Sequence, residues 1–230
     1  SAQLALLAPA DRATSPAATA AQPDRPPPTG VGERSGLPDV EGRLALRGRP
    51  AEGRSWELGL SGHAGRERWR LTSGGDRDAT VDAYAAAVDA RLDLSWLLLQ
   101  GGLFYGKNLD VLSTLSGGVT LSLDAAGGVL GATGVETWGG WGQAALRPLP
   151  WLTVLAGAGS EAANRADLPA NPAAVTVPRA NLQVSGGALV DLTRRWQAGV
   201  EYTVYRTSWA GLTDRDVTSG QLEVSSRYAF

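Results

Sequence analysis

From Arg179 to Phe230 apolar and polar residues alternate almost without interruption. Successive side chains of a β-strand point to opposite faces, so this spacing describes strands and excludes helices. In the first stretch Ala180, Leu182, Val184, Gly186, Ala188, Val190 and Leu192 share one face. Asn181, Gln183, Ser185, Gly187 and Asp191 share the other, with Leu189 the apolar exception. Trp196, Ala198, Val200, Tyr202 and Val204 then alternate with Gln197, Gly199, Glu201, Thr203 and Tyr205. Finally Leu222, Val224, Tyr228 and Phe230 alternate with Gln221, Glu223, Ser225 and Arg227. The pattern predicts three long strands, each with one apolar and one polar face.

Strand length and loop length point from a soluble sheet to a membrane barrel. The strands run about ten residues or more, enough for a tilted strand to cross the hydrocarbon layer, whereas soluble strands average about five or six. Thr193-Arg194-Arg195 is a tight connection, while Ser160 to Pro178 and Ala210 to Asp216 are long and polar. Short turns on one side and long loops on the other suit an outer-membrane barrel. Hydrophobic residues make up 43% of the chain, with no apolar run long enough for a transmembrane helix. A barrel needs none, because only alternate residues face lipid. A soluble carbohydrate-binding β-sandwich would share the alternation, with its apolar faces turned inward.

Composition narrows the function further. A net charge of −2 offers no concentrated basic surface for nucleic acid. The absence of cysteine removes disulfide and thiolate chemistry, and a single histidine, His63, leaves little for a transition metal. Lys107 is the only lysine among 21 basic residues, which reads as a coding bias toward arginine. The sequence begins at Ser1 with neither methionine nor a signal segment.

In chain order, Ala2 to Leu7 alternates weakly and reads as a strand stub. Pro9 to Asp39 carries seven prolines and reads either as an extracellular loop or as a disordered tail. Strands are expected at Val40 to Gly48, from Trp56, at Ala83 to Trp96, from Leu97, at Glu136 to Arg147 and at Trp151 to Gly159, before the final three. Arg66 to Thr80 reads as a charged loop, and Gly106 to Val135 as a long loop able to narrow a lumen. This makes nine strands in residues 40–230, and the stub brings the count to ten, the even number usual in bacterial barrels. A stub cut short by the start of the chain carries the expectation of a fragment of a larger barrel.

The face opposite the apolar one supplies the candidate pore-lining residues: Arg43, Arg47, Asp89, Arg91, Asp93, Gln143, Gln183, Glu201, Glu223 and Arg227. Charges of both signs suit the wall of a wet lumen better than an acid–base pair, although Asp89 with Asp93 and Glu201 with Glu223 could form one. His63 reads as a solvated residue rather than a base. In Gly139-Gly140-Trp141-Gly142 the glycines read as packing beside rings, since no Lys-Ser/Thr follows to make a phosphate loop. Tyr84, Trp96, Trp138, Trp151, Trp196, Tyr228 and Phe230 fall at strand ends, where aromatic residues anchor a barrel at the membrane interfaces. No residue is assigned to catalysis, metal or cofactor.

The ending Val224-Ser225-Ser226-Arg227-Tyr228-Ala229-Phe230 resembles the C-terminal signal of Gram-negative outer-membrane proteins, which implies recognition by the barrel-assembly machinery. Trp138 to Arg147, Arg179-Ala180-Asn181, Trp196 to Tyr202 with Thr207 and Trp209, Leu58 to His63, and Phe104 to Leu109 resemble uncharacterised porin-like outer-membrane proteins. The resemblance spans roughly residues 40–230. It implies passive diffusion of small hydrophilic solutes, with outer-membrane lipid, lipopolysaccharide and further copies of the chain as partners. A non-conducting barrel serving as adhesin or anchor is the alternative.

Overall fold

The computed structural model describes residues 1–7, 35–73, 77–109, 118–168, 177–210 and 215–229. The strands are β1 (Ala2–Leu7), β2 (Asp39–Ala51), β3 (Arg54–Leu71), β4 (Arg77–Asp93), β5 (Leu97–Lys107), β6 (Val119–Leu123) and β7 (Val129–Gly134). They continue as β8 (Glu136–Leu149), β9 (Leu152–Ala163), β10 (Val177–Asp191), β11 (Trp196–Ala210) and β12 (Arg215–Tyr228). Ten of them form one sheet in the order β1-β2-β3-β4-β5-β8-β9-β10-β11-β12, and β6 and β7 form a separate hairpin. Every pairing is antiparallel. β1 and β12 are the two edges, and no pairing joins them among the described residues.

The stub at Ala2–Leu7 pairs with β2 from Ala2↔Leu44 to Leu7↔Asp39. The loop-or-tail reading of the proline-rich segment falls on residues 8–34, and the terminal Phe230 likewise lies outside the described residues.

The sheet is inside-out relative to a soluble protein. Leu60 and Leu103, both on strands with neighbours on each side, are 59% and 65% exposed, while Ala45 and Thr203 on the opposite face are 5% and 6% exposed. Leu46, Leu58, Leu99, Val184 and Tyr202 extend the exposed apolar face. A sandwich would need a second sheet over these residues. The β6–β7 hairpin instead sits at the end of β3 and β4, on the polar-face side.

The register shows where the apolar band stops. On β3 the apolar face runs Trp56, Leu58, Leu60, Gly62, Ala64 and then changes to Arg66, Arg68 and Arg70, opposite Asp82, Thr80 and Asp78 of β4. The other face inverts too, with Leu71, Val81 and Ala83 buried. From Trp56 to Ala64 the strand covers about 27 Å, or roughly 20 Å along the membrane normal at a 40° tilt, close to the ~25 Å apolar band of outer-membrane barrels. This corrects the expected loop at Arg66 to Thr80. The strands continue to Leu71 and resume at Arg77, tied by an Arg66 Nε–Asp82 Oδ1 ion pair of 2.7 Å.

The second correction concerns Gly106 to Val135, which contains the β6–β7 hairpin. Asn108 takes a left-handed conformation (φ 56°), which asparagine tolerates, and both Asn108 and Leu109 are buried. A Cβ added to Gly106 would lie 2.8 Å from Leu109 Cδ2, so Leu109 turns back over the polar-face side of the sheet. The hairpin is held to the end of β3 by Thr72 N–H donating to Val129 O (3.0 Å) and Val129 N–H donating to Thr72 Oγ1 (2.9 Å). Smaller differences follow the same rule that strands outrun the apolar band. β2 reaches Ala51, β9 reaches Ala163 and β12 begins at Arg215.

Aromatic residues mark the strand ends. Trp96 and Trp151 lie in turns and Trp196 follows one; they are 56%, 49% and 45% exposed. Trp196 pairs with Tyr228 and donates its indole N–H to Ser226 Oγ at 2.9 Å. Toward the opposite end Trp138 pairs with Tyr105, whose ring centroid lies 6.3 Å from that of Tyr84. Trp56 joins the turn-side set, lying over Gly48.

Two outcomes follow. Val200 is 48% exposed on the apolar face, four positions into β11 from the turn-level Trp196. Val200→Arg should destabilise the barrel by about 2–4 kcal/mol, the cost of Arg near the bilayer midplane, in urea titrations in lipid vesicles. The second concerns the hairpin turn, where Asp124 Oδ1 accepts from the backbone N–H groups of Ala126 (2.8 Å) and Gly128 (2.7 Å). The Ser73 side chain, followed by these amides, holds the Asp124 carboxyl below its ordinary range. A depressed folded-state value stabilises the turn above the ordinary carboxylate pKa and ceases to do so as pH falls through the depressed one. Hydrogen-exchange protection at Ala126 and Gly128 should therefore persist at about pH 6 and fall toward about pH 3. In Asp124→Asn the protection should be nearly independent of pH.

Candidate functional site

All ten polar residues singled out from the sequence share one face. The register runs Arg47↔Glu57↔Arg91↔Gln100↔Gln143↔Gly157↔Ser185↔Thr203↔Gln221 across nine strands. Arg43 lies four positions from Arg47 on β2, on the same face, and Asp89 and Asp93 flank Arg91 on β4. Gln183 flanks Ser185 on β10, and Glu201 pairs with Glu223, and Gln197 with Arg227, at the other end of the sheet.

Arg43 organises one half of this face. Its Nη2 donates to Glu57 Oε1 (2.9 Å) and Asp89 Oδ2 (2.6 Å), and its Nε to Asp89 Oδ1 (3.3 Å). Arg47 Nε closes on the same Glu57 at 2.7 Å. Reaching Asp89 requires Arg43 on β2 to cross β3, and the residue beneath the crossing is Gly59, in register with both Ala45 and Asp89. A Cβ at Gly59 would collide with Arg43 Nη2 and both Asp89 carboxylate oxygens. The glycine is thus a window in the wall rather than a source of backbone freedom.

The network continues through neutral groups. Arg91 Nη1 donates to Gln100 Oε1 at 3.3 Å, and Gln100 Nε2 donates to Gln143 Oε1 at 2.8 Å. Asp93 lies 3.8 Å from both Arg91 Nη2 and Arg147 Nη1. Glu57 and Gln100 complete this network without having stood out in the sequence. Parity signals their face, but only pairing reveals their partners.

The other half of the face is charged differently. Glu201 and Glu223 stand directly opposite one another, a destabilising arrangement for like charges unless solvent or donors offset it. Thr203 Oγ1 donates to Glu201 Oε1 (3.4 Å) and Gln221 Nε2 to Glu223 Oε1 (2.6 Å). Among the described residues neither carboxylate meets a cation. Arginine and carboxylate therefore pair around β2–β4, while on β11–β12 Glu201 and Glu223 stand opposite one another and Arg227 lies four positions along β12 from Glu223.

His63 is not solvated as expected. Its side chain is 7% exposed, with Nδ1 3.1 Å from Glu41 Oε1. The pair borders a recess of about 690 Å³ whose other walls include Gln3, Arg43, Phe104 and Leu109. Among the described residues no group of three or more His, Cys, Asp or Glu side chains is placed to hold a metal ion.

No protein-family model matches this sequence. No curated protein matches it either. The crystal structure of the outer membrane channel DcaP of Acinetobacter baumannii superposes with a TM-score of 0.63 at 15% identity, over 84% of this chain and 52% of that one. The fold is porin-like, an antiparallel β-barrel sheet. The chain spans about half the length of DcaP, so the ten strands here correspond to part of that barrel. The NanC porin also aligns, at 8% identity and a TM-score of 0.39, over 84% of this chain and 94% of that one.

In an antiparallel transmembrane β-barrel of this kind the turn-side tryptophans and the apolar band belong to the outer surface. The Arg43 network then depends on a single missing side chain. Gly59→Val should break the Arg43–Asp89 contact while leaving β3 paired. In a double-mutant cycle, Asp89→Asn should lower the urea midpoint in the parent but change it little in Gly59→Val, because both substitutions remove the same contact. Additive effects would show that Arg43 reaches Asp89 by another route.

Proposed function

We propose that this chain forms part of the wall of a porin-like channel for passive diffusion of small hydrophilic solutes across the outer membrane of a Gram-negative cell. The observation that carries the reading is the division of one sheet into two faces. Arg43, Asp89, Gln143, Glu201 and their partners occupy one, and exposed aliphatic residues bounded by aromatic rings occupy the other. A transmembrane barrel places the apolar face against lipid and lipopolysaccharide acyl chains and the polar face against water. Arg43, Arg47, Asp89, Arg91, Asp93, Gln143, Gln183, Glu201, Glu223 and Arg227 then line the lumen. Leu109 and the hairpin after it lean over the polar-face side at the long-loop end, where they narrow the passage.

Passage through such a wall is physical and calls on no nucleophile, metal or cofactor. The alternation of β12 suits recognition by the barrel-assembly machinery, and several copies can pack side by side through their apolar outer faces.

Glu201 and Glu223 outnumber Arg227 on β11–β12 and give the channel a cation preference. A fixed charge raises the local concentration of counter-ions in a narrow passage, and salt screens it over about 8 Å at physiological ionic strength. In planar bilayers under a salt gradient the parent should conduct. Glu201→Gln should shift the reversal potential toward less cation preference, by an amount that shrinks as salt is raised. A parent that inserts without conducting would leave an anchor or adhesin. Conductance with unchanged selectivity in Glu201→Gln would remove Glu201 from the ion path.

A further inference from the structure

We infer that Trp141, with Phe104 beside it, is the stacking platform of a binding station for a neutral saccharide ring on the polar wall. The inference rests on the channel reading and specifies a solute class for it.

Trp141 cannot be one of the membrane anchors. Trp138, on the same strand, pairs with Tyr105 on the apolar side. Trp141 is three positions further on and pairs with Gly102 and Gly159, in the row that holds Asp89 and Gln183. It is nevertheless 51% exposed. A large apolar surface turned toward water is costly. On this face the cost is not offset by lipid.

The ring lies against bare backbone of the neighbouring strand. A Cβ at Gly102 would lie 3.5 Å from the indole Nε1 and 3.7 Å from Asp89 Cβ, so the indole extends over β5 toward Asp89. A Cβ at Gly159 would lie 3.3 Å from Trp141 Cβ on the other side. Phe104 repeats the arrangement in the opposite direction. It pairs with Gly139 of β8, and a Cβ there would lie 2.7 Å from its ring carbons. Each ring thus lies over a glycine of the other's strand, and together they form a short aromatic track along the wall.

The polar surroundings favour an uncharged ligand. Arg43 and Arg47 are matched by Glu57 and Asp89, so an ion gains no net charge complement beside Trp141. What stays available is neutral hydrogen bonding. Gln143, two positions along β8, uses Oε1 to accept from Gln100. Among the described residues its amide N–H groups and the Trp141 indole N–H have no acceptor. A pyranose suits this combination. The C–H groups on one face of the sugar meet the electron-rich face of an aromatic ring, and its rim hydroxyls meet amides. Two rings side by side suit a disaccharide.

Maltose is the probe, with sorbitol as an acyclic polyol lacking a ring face. In planar bilayers maltose should reduce the ion current of the parent in a saturable way, and sorbitol should not. The half-blocking concentration should rise about tenfold in Trp141→Ala, the loss of about 1.4 kcal/mol of stacking, and stay within about threefold of the parent in Trp141→Phe. Equal blocking of parent and Trp141→Ala, or sorbitol acting like maltose, would overturn the inference. If the parent carries no current, the channel reading fails first, and equilibrium dialysis of labelled maltose against the detergent-solubilised protein decides the site separately. Binding by the parent that is weakened in Trp141→Ala sustains the station. Absent binding, or equal binding by both, removes it. Heat-modifiable migration of each variant on gels checks that the barrel has assembled.

Discussion

The structure depends on the need of every backbone N–H and C=O in the membrane-spanning region to find a partner in a neighbouring strand. Hydrocarbon offers neither donor nor acceptor, so an unpaired group there costs several kcal/mol. Between its edges the main sheet meets this demand with continuous antiparallel ladders, while the outer edges of β1 and β12 have no partner strand among the described residues. Its register shifts fall between Gly48 and Ala51, between Leu146 and Leu149, and between Pro178 and Ala180. Pro50 and Pro148 lie inside the first two intervals, and Pro178 bounds the third. Proline has no N–H to contribute to a ladder, and these three sit at strand ends, where water or a turn can complete the pairing.

With pairing satisfied between the edges, the two faces are free to follow their solvents. Between Trp56 and Ala64 the apolar face of β3 matches hydrocarbon, and at Arg66 both faces invert. The inversion explains why β3 and β4 outrun the membrane without exposing apolar surface. Their outer face becomes charged, and their inner face buries Leu71, Val81 and Ala83 near the β6–β7 hairpin. Leu109 likewise turns back over the polar-face side, beside Gly106.

Glycine governs the polar face by omission. Gly59 lets a guanidinium cross a strand, Gly139 leaves room for the Phe104 ring, and Gly102 offers bare backbone beneath the Trp141 indole. All three are expensive choices inside a strand, where glycine contributes no side-chain packing. Each becomes intelligible only from what a neighbouring strand places above it. The wall is thereby divided into a charge-balanced region around Arg43, a region of amides and rings around Trp141, and an acidic region at Glu201 and Glu223.

The sequence by itself determined the alternation, and hence the face on which Arg43, Asp89, Gln143 and Glu201 lie, because side-chain direction in a strand follows parity alone. It also determined the ten strands of the main sheet and the turn-side tryptophans, since tight turns and end-placed aromatics are local signals, but not the β6–β7 hairpin inside the expected loop. The extent of β3 and β4 was not legible. Where solvent changes along a strand the polar and apolar faces trade places, and Arg66 to Thr80 then reads like a loop. Partners were not legible either. Arg43 and Asp89 are 46 positions apart, and their contact exists only once two register choices and a glycine between them are set. The sheltering of His63 against Glu41 and the setting of Trp141 over Gly102 have the same origin. Parity is a property of one strand, whereas a wall is made by several, and only the tertiary register decides which side chains meet.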